Sequence, residues 1–67
     1  MNIQVKFGQK LKELRLKKGL TQEKLAHLAE IDRTYLPGIE KGERNVSLSV
    51  IEKLSTALNI EIKDFFI

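Results

Sequence analysis

There is no cysteine in this chain, so it holds no disulfide framework, no thiolate zinc site and no cysteine nucleophile, and nothing points to an oxidising compartment. A cytosolic address, in a bacterium or a phage-infected one, is the expectation. A single histidine, no glycine-rich loop and few carboxylates in apolar settings leave little from which to assemble a catalytic pocket or a cofactor, metal or small-molecule site. No enzyme is expected. Apolar runs reach only a few residues, far below the roughly 18 that span a bilayer, and no basic stretch leads an apolar signal segment. Membrane insertion and cleavage are not expected either. One proline, no Ser-rich linker, no low-complexity run and no internal repeat argue for one domain over residues 1–67. What is present is 42% hydrophobic and 31% charged, a folding composition with a thin core.

Net positive charge is concentrated in one segment. Residues 1 to 20 carry six basic groups against Glu13 alone, whereas the remainder is close to neutral. Such a segment attracts phosphate backbones, anionic lipid or an acidic protein, because neutralised phosphates release counterions. A solvated lysine-rich helix face is the plain alternative.

Apolar periodicity and helix punctuation predict about five short helices. Phe7, Leu11 and Leu14 fall at i, i+4 and i+7, the stripe of an amphipathic helix over about 3–18, and Gly19 ends it. Thr21 caps a second helix that runs to about Ala29 and buries Leu25, Ala26 and Ala29. Asp32 is the next cap, opening a third helix through Arg33, Thr34, Tyr35 and Leu36 to about Lys41, closed by Gly42. Ser47 caps a fourth, whose Leu48, Ile51, Leu54 and Leu58 repeat at helical spacing up to Asn59. Glu61 to Ile67 is too short to be helical by propensity and must pack against the rest. The expected fold is all-α, a compact five-helix bundle.

A two-turn helix, a tight turn at Glu30 and Ile31, and a helix opening with Arg33, Thr34 and Tyr35 have helix-turn-helix spacing, in which the second helix enters a DNA major groove. With Thr21-Gln22-Glu23-Lys24-Leu25-Ala26 before the turn and Tyr35-Leu36-Pro37-Gly38-Ile39-Glu40-Lys41-Gly42 after it, the chain resembles the Cro/C1-type helix-turn-helix family from about Phe7 to Phe66. Asp32-Arg33-Thr34-Tyr35 is similar to the recognition-helix opening of restriction–modification controller proteins. That resemblance implies a lambda repressor-like DNA-binding domain, acting as a homodimer on a palindromic double-stranded operator to regulate an endonuclease gene of a type II system and its own gene. A phage-type repressor, or an antitoxin-like regulator working through a protein partner, is the alternative.

Physical chemistry assigns roles within this frame. Arg33 stands where a planar fork can donate twice to guanine O6 and N7, and Thr34 and Tyr35 offer a hydroxyl, a methyl and an aromatic face to base edges. A surface arginine paired with Asp32 or Glu30 is the plain reading of Arg33. Gln22 opens the second helix, where free amides and its own side chain suit a phosphate, the use the resemblance implies. Lys41, Arg44, Asn45 and Ser47 lie in the loop that, by resemblance, follows the sugar–phosphate backbone. Arg15 borders the apolar stripe and needs a partner; Glu40 matches the family's acidic position, giving a structural ion pair that locks the first helix to the third. His27 reads as a solvated histidine without co-ligands. Ile62, Phe65, Phe66 and Ile67 are candidates for sealing the core and forming a two-fold interface. Two departures stand out. Glu30 occupies a turn position that favours glycine, and Pro37, five residues after Asp32, is expected to bend the recognition helix and free the Arg33 carbonyl.

Overall fold

A computed structural model describes residues 2–67. The elements in order are α1 (Ile3–Lys17), α2 (Gln22–Ala29), α3 (Tyr35–Glu40) and α4 (Leu48–Leu58), followed by a 3₁₀ helix over Ile62–Phe66. There is no strand among the described residues. The fifth element is a tight 3₁₀ turn rather than an α-helix, as its length dictates.

The helix ends are set by the residues that punctuate the sequence. Asn2 Oδ1 accepts from the Gln4 amide at 2.7 Å, Thr21 Oγ1 from Lys24 at 3.0 Å and Ser47 Oγ from Val50 at 3.2 Å, each satisfying an amide with no partner inside its helix. At the other ends Gly19, Glu30 and Asn59 adopt positive φ, and the amides of Leu20, Ile31 and Ile60 reach back to the carbonyls of Arg15, Ala26 and Ser55. Glu30 therefore holds the left-handed conformation, φ 57°, without being glycine.

The third helix corrects the sequence reading. Asp32 caps a turn, not a helix. Its Oδ1 accepts from the Thr34 amide at 2.9 Å and from the Thr34 hydroxyl at 2.8 Å, and the amides of Tyr35 and Leu36 donate to the carbonyls of Asp32 and Arg33. Arg33 and Thr34 thus ride on a turn ahead of α3, which starts only at Tyr35. Pro37 is the third residue of that helix, in the first turn, where no intrahelical amide bond is lost. The Arg33 carbonyl accepts from Leu36, so the expected free carbonyl does not occur, and a first-turn proline supplies no cause for the expected bend.

One core joins all five elements: Phe7 and Leu11 of α1, Leu25, Ala26 and Ala29 of α2, Leu36 and Ile39 of α3, Ile51, Leu54 and Leu58 of α4, and Phe65. Leu14 is only partly buried, and Leu48, the first residue of α4, is 83% exposed and lies outside the stripe it appeared to begin. Phe65 is fully buried with its ring centroid 4.8 Å from that of Phe7, so it belongs to the core and not to an exposed interface. Helices α1 and α3 meet at Gly8, where an added Cβ would stand 2.3 Å from the Ile39 carbonyl oxygen. Glycine there permits a close approach of two backbones.

Candidate nucleic-acid interface

Beneath the candidate surface, α3 is anchored through its buried residues Leu36, Ile39 and Glu40. Arg15 Nε donates to Glu40 Oε2 at 2.6 Å and Arg15 Nη2 to Glu40 Oε1 at 3.1 Å, while Nη1 donates to the Leu20 carbonyl at 2.7 Å. Arg15 and Glu40 are both buried, and each nitrogen and oxygen of the pair has a hydrogen-bond partner within the protein. Gln22 joins the same cluster, its Nε2 donating to Glu40 Oε1 at 3.0 Å. The side chain that the resemblance assigns to a phosphate is therefore half-buried and engaged with a carboxylate, leaving one amide hydrogen for another acceptor.

Above this anchor, Arg33, Thr34 and Tyr35 are all exposed. Thr34 is bound to Asp32, whose carboxyl is held below the usual range, first by the Thr34 amide, then by the Thr34 hydroxyl, with the neighbouring Arg33 charge adding to the effect. Arg33 pairs with neither Asp32 nor Glu30. Its Nη1 instead donates to Glu23 Oε2 at 2.5 Å, from the first turn of α2. By its place in the chain Glu23 offers only a carboxylate in the first turn of α2, near the positive end of the helix dipole. A contact between residues ten apart, across a turn of unknown shape, left no periodic signal to find.

The loop after α3 folds back over the same surface. The Arg44 guanidinium lies 4.9 Å from the Tyr35 ring centroid, a cation–π contact. Its aliphatic stem crosses Gly38, where an added Cβ would meet Arg44 Cγ at 3.2 Å. Gly38 therefore leaves space for the arginine stem. Gln4 of α1 donates to the side-chain oxygen of Asn45, tying this loop to the first helix. Lys41, Arg44, Asn45 and Ser47 are exposed, and the last three border, with Tyr35, a cleft of about 240 Å³ lined also by Ile39, Val46 and Val50. Gln4, Gly38 and Glu23 all act through tertiary contacts that the linear order hides.

Ile62, Phe66 and Ile67 remain exposed beside buried Phe65, and His27 is exposed on α2. Among the described residues no group of three His, Cys, Asp or Glu side chains is placed to hold a metal ion, and no helix is long and apolar enough to cross a membrane.

Residues 11–65 match the helix-turn-helix family. Control protein C.BamHI of Bacillus amyloliquefaciens is 52% identical over 64 residues, covering 94% of this chain and 79% of that protein. Control protein C.MunI of a Mycoplasma species is 47% identical over 66 residues, covering 97% and 89%. The crystal structure of the restriction–modification controller protein C.AhdI from Aeromonas hydrophila superposes with a TM-score of 0.94 at 56% identity, covering 98% of this chain and 100% of that one.

Proposed function

This chain belongs to the helix-turn-helix family of DNA-binding transcription regulators, and on that footing we propose that it is a restriction–modification controller that binds a near-palindromic operator as a homodimer. It is a regulator and not an enzyme. The observation that carries the proposal is the outward ridge of Arg33, Thr34 and Tyr35, exposed in front of a helix whose other face is locked into the core. Side chains so placed face outward, where base edges can be met, with Arg33 the candidate guanine reader and Thr34 and Tyr35 beside it. Arg44, Asn45 and Ser47 border the same cleft as Tyr35 and, with Lys41 at the start of their loop, fix register on the sugar–phosphate backbone without reading sequence. Gln22 contributes there through its remaining amide hydrogen. Ile62, Phe66 and Ile67 supply the apolar contact between two copies, placing the recognition segments about 34 Å apart, one turn of B-DNA.

Fluorescence anisotropy with duplex from upstream of the gene itself, against random duplex, tests the proposal. Arg33→Ala should cost roughly 1 to 3 kcal/mol on the operator and relax preference at one base pair, whereas Arg44→Ala should weaken both duplexes alike. Equal losses on both duplexes for Arg33→Ala would remove it from base reading. Failure of the unaltered protein to prefer any upstream duplex would sink the regulator assignment itself.

A further inference from the structure

A carboxylate beside a DNA-reading arginine is electrostatically out of place. Glu23 faces the polyanion that this surface is proposed to bind, and nearby phosphates repel it. The fold does not require it, since Thr21 already caps α2. Yet Glu23 and Arg33 hold each other at 2.5 Å with side chains 70% and 69% exposed, without burial to force the pairing.

We infer that Glu23 is a specificity-determining residue that positions Arg33 for a guanine and withholds it from phosphates. This rests on Arg33 reading a base. The single contact engages Nη1 and leaves the Nε and Nη2 hydrogens on the opposite edge of the guanidinium. That edge is a two-donor fork matching guanine O6 and N7, so Arg33 can read a base while still held. On random sequence the same carboxylate occupies and neutralises the arginine. Without it, Arg33 is free to swing to a phosphate, a contact that adds affinity but no information. Glu23 touches the reader and not the DNA, so its effect belongs in the ratio between operator and random binding.

The test is a double-mutant cycle of Glu23→Gln with Arg33→Ala, with Glu13→Gln as a control for the loss of one exposed carboxylate elsewhere. Anisotropy on operator and random duplex is read from about 50 to 200 mM salt, a range over which phosphate contacts show as a slope. Glu23→Gln should tighten random binding about three- to fivefold, the scale of an exposed pair, and steepen its log–log salt slope by about 0.9, one added phosphate. Operator affinity should change by less than about twofold, so the ratio falls, and in the Arg33→Ala background the effect of Glu23→Gln on random binding should shrink and its effect on the ratio should vanish. Equal shifts on both duplexes, no shift at all, or an undiminished effect without Arg33 would overturn the inference. Arg33→Ala that leaves the operator-to-random ratio unchanged would instead refute base reading by Arg33. Circular dichroism of each variant checks that the fold persists.

Discussion

Glu40 accepts three hydrogen bonds, two from Arg15 and one from Gln22, in a place that water hardly reaches. A group so enclosed is sensitive to loss of one partner and tolerant of loss of both. Glu40→Ala strands the Arg15 charge and should destabilise by about 3 to 5 kcal/mol, whereas Arg15→Met with Glu40→Leu removes both charges and should lose far less than the two single changes together. Urea unfolding of Glu40→Ala, of Arg15→Met and Glu40→Leu singly, and of the double variant measures this, and additive losses would mean that the pair is not coupled. Asp32 shows the opposite case, a charge in solvent whose hydrogen bonds shape a turn. Its carboxyl is held below the usual range by the Thr34 amide and hydroxyl, so its contribution is complete above the ordinary carboxylate pKa. As pH falls through the depressed folded value, that contribution is lost and the turn presenting Arg33 loosens. The Thr34 amide resonance should report a midpoint below the ordinary aspartate value, absent in Asp32→Asn; a midpoint at or above it would contradict the assigned bonds.

Each helix is marked in the sequence by a residue whose chemistry ends or begins it, and those marks were legible: Asn59, Gly19, Thr21 and Ser47 do what their types favour. The third helix was misread because Asp32 serves a turn as well as it serves a helix, and only tertiary contacts choose between them. That choice moves Pro37 from an interior position to the first turn of α3. Pro37→Ala should therefore lower stability by less than about 1 kcal/mol, the entropy returned to the unfolded chain, in place of the roughly 3 kcal/mol gain expected on relieving a mid-helix proline. The turn between α2 and α3 carries the reverse strain. Glu30 has φ 57°, so Glu30→Gly should stabilise by up to about 1 kcal/mol and Glu30→Val should destabilise. Thermal or urea midpoints decide both, and a loss for Glu30→Gly would mean that the side chain makes an unrecognised contact. In the candidate site, exposure of Arg33 to Tyr35 followed from helix-turn-helix spacing. The Glu23 and Arg44 contacts did not, since they join residues that share no helix face.

For the whole molecule, the core is complete within one chain and yet leaves apolar side chains uncovered. Phe65 closes the core against Phe7, while Ile67 is 81% and Ile62 43% exposed alongside Phe66. Two copies meeting through this patch would remove it from water, and the same contact would fix the spacing of two recognition segments on one face of DNA. Dimer formation and operator affinity are then linked, because the second half-site is bound at the effective concentration set by the first. Ile67→Glu places a charge in the patch without disturbing Phe65, whereas Phe66 is a poorer choice because its ring centroid lies 6.0 Å from that of Phe7. Sedimentation velocity should show the variant as a monomer where the unaltered chain is a dimer. Its affinity for the full operator should fall by about 100-fold or more, the scale of lost avidity, while binding to an isolated half-site stays within about twofold. If Ile67→Glu keeps both the dimer mass and the operator affinity, the two-fold contact lies on another face; if half-site binding falls as steeply, the patch acts on the DNA-reading surface and not on assembly.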